Sequence, residues 1–201
     1  GLIYDEPFDP HITIGSMTTA EEMQRLSPTT TPYKVMSDII EACIAEDSRP
    51  PIHVYDMCLG DYQFLLHKLR IVTYGPRYLM SIKCPSCGNV ADVEADLDSL
   101  EVFEYNDSYK DLKLITLPKS GKLIELREQT PRDLDTIDYR SKEAIKKAKI
   151  NLQYKFLYTV MSNIKRVDGA ELNSLQLEQF VRDLPLKDAN FILNKANNQR
   201  D

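Results

Sequence analysis

Two short alternating runs flank Cys84-Pro85-Ser86-Cys87-Gly88, and no other feature restricts the fold as tightly. In the first run Tyr78, Met80, Ile82 and Cys84 alternate with Leu79, Ser81 and Lys83. In the second, Ala91, Val93, Ala95 and Leu97 alternate with Asp92, Glu94, Asp96 and Asp98. A period of two sends successive side chains to opposite faces of an extended strand, so the segment predicts a β-hairpin with one acidic, water-facing side.

Elsewhere the period is mostly helical. Thr18 and Thr19 can cap a helix over residues 20–26, with Glu21 and Glu22 as capping-box partners. Pro32 suits the first turn of a second helix. Its Val35, Met36, Ile39, Ile40, Cys43 and Ile44 form one apolar stripe, ended by Ser48-Arg49-Pro50-Pro51. Residues 54–72 read as a third helix, weakened at its start by Gly60, so that the continuous part begins at Asp61. Tyr74-Gly75-Pro76 is a turn into the hairpin. A second hairpin is predicted from strands at 112–117 and 123–127, joined at Pro118-Lys119-Ser120-Gly121. Thr130-Pro131-Arg132-Asp133 then starts a long helix through Lys149, and residues 150–166 continue it or form a partner. Val167-Asp168-Gly169 breaks the pattern, and two short helices, 174–184 and 186–196, meet at Pro185. The expected fold class is α+β: N-terminal helices with two β-hairpins, one tipped by a Cys-x-x-Cys knuckle, then an all-helical C-terminal half. The expected domains are 1–128 and 129–201.

Composition excludes several functions. The chain is 42% apolar and 28% charged, as in a soluble globular protein, and no apolar stretch reaches the ~20 residues that span a bilayer. Acids stand in residues 1–6 where a secretory signal needs a basic region, so no such signal is expected. Seven glycines leave little material for a phosphate-cradling loop, and a net charge of −6 opposes general nucleic-acid binding. Gly-x-Ser-x-Gly, His-Glu-x-x-His, Walker and Rossmann patterns are missing, and His11, His53 and His67 are scattered. The chain is therefore expected not to be an enzyme.

Four cysteines are too few to staple a chain of this size, which suggests a reducing compartment and thiols used for packing or metal. Cys84 and Cys87 can aim both sulfurs at one ion, with Gly88 taking the positive φ that turns backbone amides toward them. They make half a zinc site, since closed structural zinc takes four protein ligands. Cys43, Cys58, His53 and His67, or a second knuckle from another chain, are the candidates to complete it. Core packing competes for Cys43 and Cys58, and ordinary surface positions for the histidines. A metal-free reduced pair is the next reading, and a catalytic redox pair lacks its βαβ setting. Charge is also uneven. Residues 1–56 hold ten acids against three bases, whereas in 139–166 Arg140, Lys142, Lys146, Lys147, Lys149, Lys155, Lys165 and Arg166 face Glu143 alone. Such blocks are solvated faces or docking surfaces, and the run Arg140, Lys142, Lys146, Lys147 and Lys149 is the candidate partner-binding patch.

Several segments taken in order carry a resemblance: Ile12-Thr13-Ile14-Gly15 with Thr18-Thr19-Ala20-Glu21-Glu22, Asp38-Ile39-Ile40-Glu41-Ala42-Cys43-Ile44, Leu59-Gly60-Asp61-Tyr62, and Ile82-Lys83-Cys84-Pro85-Ser86-Cys87-Gly88. Leu117-Pro118-Lys119-Ser120-Gly121-Lys122 and Asp183-Leu184-Pro185-Leu186-Lys187-Asp188-Ala189 follow. The series resembles the baseplate hub assembly proteins of T-even-type bacteriophages. That resemblance implies a non-enzymatic tail protein of the virion baseplate, present in the host cytoplasm during assembly. Its partners would be other tail and baseplate proteins or copies of itself, with no nucleic acid and no membrane. The alternatives are a zinc-knuckle nucleic-acid module, another virion structural protein and a thiol enzyme.

Overall fold

The computed structural model describes residues 4, 8–102, 104, 113–148 and 153–198. Helices α1 (Thr19–Leu26), α2 (Pro32–Cys43) and α3 (Leu59–Tyr74) come first. Strands β1 (Arg77–Lys83) and β2 (Val90–Asp96) form one sheet, and β3 (Leu114–Thr116) and β4 (Leu123–Leu126) open another. Then follow α4 (Pro131–Ala148), α5 (Tyr154–Ser162), strand β5 (Ile164–Val167), α6 (Ser174–Asp183) and α7 (Leu186–Asn198). The class is α+β, with hairpins ahead of a mainly helical C-terminal part.

Local side-chain caps set the starts of α1, α4 and α6. Thr18 and Glu21 close a capping box on α1. At α4 the Thr130 hydroxyl accepts from the Asp133 amide at 3.3 Å while Asp133 accepts from the Thr130 amide at 2.9 Å. Asn173 accepts from the amides of Leu175 and Gln176 at 3.1 and 2.9 Å, and Gln176 returns the bond to Asn173 N–H at 3.0 Å. Asn173→Ala is therefore expected to cost about 1 kcal/mol in urea unfolding. A loss near zero would mean that water caps α6 equally well.

Two segments differ from the sequence expectation. Residues 54–58 are not part of the third helix: Val54–Asp56 forms a 3-10 turn, and α3 begins at Leu59 with Gly60 inside it. Leu59 N–H donates to the Gln129 carbonyl at 2.8 Å, a long-range bond that anchors the helix start. Residues 164–167 are not helical either, because β5 pairs antiparallel with β4 and makes the second hairpin a three-stranded sheet. Ile164 and Val167 are buried there, and Lys165 and Arg166 pair with Glu125 at 3.3 and 3.2 Å. A strand edge that would otherwise stay unpaired gains a neighbour. The opening segment contributes one bridge, Ile14 to Ile44, and no longer strand among the described residues. Part of the expected strand at 112–117, Leu112, lies outside the described residues.

Two hydrophobic cores result. One joins α2, the 3-10 turn and α3 through Ile39, Ile40, Val54, Met57, Leu65 and Leu69. The other joins the three-stranded sheet to α4–α7 through Leu117, Ile124, Leu126, Val160 and Ile192, and Leu134 packs against both. A buried carboxylate also joins them. Asp135 on α4 accepts from the amides of Tyr33 and Lys34 in the first turn of α2, at 3.3 and 2.9 Å, and from the Tyr55 hydroxyl at 3.0 Å. Thr31, the residue that precedes α2, makes no side-chain capping bond.

Candidate functional site

The β1–β2 ribbon stands apart from both cores: beyond each other, its strands touch the rest of the protein very little. Its register sets Tyr78 against Ala95, Met80 against Val93 and Ile82 against Ala91. These six apolar side chains share one face, since same-side residues in a strand are two apart. The other face carries Arg77, Leu79, Ser81, Lys83, Val90, Asp92, Glu94 and Asp96, with Ser81 donating to Asp92 at 2.6 Å and Arg77 beside Glu94 at 3.4 Å. The acidic side faces water as expected, but the apolar side is open too: Ile82 is 47% exposed and Val93 41%. At the foot of the ribbon, the Arg70 guanidinium of α3 lies 5.6 Å from the centre of the Tyr78 ring, and His67 Nε2 meets the Leu97 carbonyl at 2.9 Å.

The knuckle caps the far end. Cys84 N–H donates to the Asn89 carbonyl at 2.8 Å, and Gly88 N–H returns the chain to the Cys84 carbonyl at 2.9 Å. Gly88 sits at φ +75°, a conformation that a side chain disfavours. Hydrogen bonds from the backbone of Cys87 and then Ser86 draw the Cys84 thiol below its ordinary pKa, with the Cys87 side chain adding to the effect. Donors aimed at a sulfur favour its thiolate, the form that binds metal. Cys84 is half-buried and Cys87 exposed.

The other ligand candidates lie elsewhere. Cys58 is buried at the start of α3, its amide donating to Tyr4 Oη at 3.0 Å, and burial pushes its thiol up to about 12. Cys43 packs at the edge of the first core, where burial likewise raises its pKa. His53 is an exposed side chain with Nδ1 at 3.4 Å from Glu41. Among the described residues, no group of three or more His, Cys, Asp or Glu side chains is arranged to hold a metal ion.

The basic run is spread around α4 and largely engaged. Arg140 pairs with Glu178 at 3.3 Å and lies 4.5 Å from the Tyr158 ring centre. Lys142 meets Asp138 at 2.7 Å, Lys146 meets Glu143 at 2.9 Å, and Lys147 is exposed. Lys149 lies outside the described residues. Tyr139, 64% exposed, shares the outward face with Lys142 and Lys146.

Sequence reasoning found the knuckle and the alternation but missed two structural carboxylates, Asp135 and Asp188. Asp188 on α7 accepts from the amides of Lys119 and Ser120, both at 2.8 Å. It thereby joins two of the segments that carry the family resemblance, 117–122 and 183–189. An acid in the first turn after Pro185 was the visible signal, and it also fits an ordinary helix cap.

Fold and site define an α+β protein with two cores that projects an apolar-faced, cysteine-tipped ribbon. The chain belongs to the family of T4 bacteriophage base plate proteins, whose family model matches residues 11–199. The resemblance read from the ordered segments is thus borne out as that of a T4-type baseplate protein. No curated protein and no solved structure matches the chain.

Proposed function

We propose that the chain is a non-enzymatic structural or assembly subunit of the baseplate hub, acting in the virion tail and in the host cytoplasm during assembly. The family match over residues 11–199 carries this reading. Surface chemistry supports it. The outward face of α4 offers an exposed aromatic, Tyr139, beside Lys142 and Lys146, and exposed aromatics with flanking charge suit protein contacts. Surface ion pairs are weak, so these lysines can exchange Asp138 and Glu143 for acids on a neighbouring tail protein. The acidic face of the ribbon would repel a phosphate backbone and speaks against the nucleic-acid alternative. Among the described residues, no helix is long and apolar enough to cross a membrane.

Deletion of the gene tests the role. Lysates of the deletion phage are expected to lack complete baseplates by electron microscopy, with rescue by the chain supplied from a plasmid. Normal baseplates in the unrescued lysate refute the proposal. The docking face is tested separately with the double change Lys142→Glu/Lys146→Glu. It is expected to weaken capture of hub proteins about tenfold at low salt, an effect that fades at high salt. Capture that is indifferent to both the substitutions and salt removes α4 from the interface.

A further inference from the structure

The exposed apolar face of the ribbon and the two thiols at its tip have one explanation in common. We propose that two copies of the chain pair ribbon to ribbon through the apolar face of β1–β2 and bind one zinc ion between their tips, with Cys84 and Cys87 of each copy supplying all four ligands.

Four observations lead there. A two-stranded ribbon is at best marginally stable alone in water, and this one has little support from the body. The strands' own side chains on the apolar face bear no charge, and Arg70 reaches only its foot at Tyr78, so a charged partner has little there to read. Closed structural zinc takes four ligands, the knuckle offers two, and among the described residues no third ligand joins them. An identical knuckle supplies the missing pair from the same tight turn, closed by Gly88 N–H on the Cys84 carbonyl and Cys84 N–H on the Asn89 carbonyl.

Symmetry then fits. A twofold axis along the ribbons sets apolar face against apolar face and brings both tips to the same end. It turns the sides with Asp92, Glu94 and Asp96 away from each other, so like charges stay apart. The size of the face explains the need for metal. Seven residues at ~3.3 Å each on strands ~4.8 Å apart give roughly 200 Å² per copy, well short of the ~800 Å² per partner of a stable interface. Pairing should therefore depend on zinc. This inference is independent of the baseplate role, because it concerns the chain's own association.

Sedimentation velocity and metal analysis of the full chain in reducing buffer test it. With zinc, a dimer holding about one zinc per two chains is expected. A strong chelator should raise the dimer dissociation constant at least about a hundredfold and give monomer. Cys84→Ser and Cys87→Ser should each abolish both zinc retention and dimer. Ile82→Asp leaves the thiols in place and should weaken the dimer, whereas Glu94→Gln on the opposite face should not. The ribbon lies outside both cores, so each variant should keep the helical circular dichroism of the parent. A monomer with about one zinc per chain, a chain that binds no zinc, a dimer that survives chelation, or equal effects of Ile82→Asp and Glu94→Gln each overturn the proposal.

Discussion

Asp135→Ala is expected to destabilise the protein by about 3–5 kcal/mol, the scale for removing a buried charged acceptor from its donors. The carboxylate is only 3% exposed and holds three donors: the amides of Tyr33 and Lys34 and the Tyr55 hydroxyl. Alanine would leave all three without their protein acceptor, the Tyr55 hydroxyl in a buried position and the two amides in a half-buried one. Two of them are the free amides of the first turn of α2, which has no side-chain cap of its own. The loss would also weaken the junction between the cores, since α2 and α4 belong to different ones. Tyr55→Phe removes one donor and its bond together and should cost about 1 kcal/mol. Burial, then the bond to Asp135, pushes the Tyr55 phenol up to about 12, so it remains a donor at any working pH. Urea unfolding followed by circular dichroism measures both. An Asp135→Ala loss no larger than that of Tyr55→Phe would show that the α2 amides find other acceptors.

Asp188→Ala should be nearly as damaging, at about 2–4 kcal/mol, and adds a pH signature. Asp188 is fully buried and holds the Lys119 and Ser120 amides, so its loss frees the turn between β3 and β4 from α7. Burial by itself would raise the pKa of the group. The bonds from Ser120 and Lys119 outweigh it and hold the carboxyl below the ordinary carboxylate range. A folded pKa below the unfolded one means that the group stabilises at neutral pH. That contribution declines as pH falls below the unfolded value and is gone once pH has passed the folded one. The stability difference between parent and Asp188→Ala should therefore be largest near neutrality and shrink on acidification. A difference independent of pH from neutral to strongly acidic conditions contradicts the assignment.

Particular residues show how far the sequence could be read. The caps at Thr18 and Thr130 were legible because a cap and its partner lie three residues apart. The hairpin was legible because alternation is a local record of strand geometry. The start of α3 was misplaced because it is held by Gln129, far along the chain. Strand β5 was missed because four residues after a helix carry too short a pattern to mark a strand, and its pairing with β4 decides the matter. Cys58 and Cys43 were read as core residues in competition with metal binding, and the structure puts both in or beside the first core.

By itself, then, the sequence determined the order of helices and hairpins, most helix starts, the knuckle and the family, because each is written in residues close together or in a fixed series. Only the tertiary structure decided that the apolar side of the ribbon stays open, that Asp135 and Asp188 are buried fasteners, and that β5 completes a sheet. Burial and long-range pairing depend on which distant surfaces meet, and the same alternating run or acidic residue can end up in water or in a core.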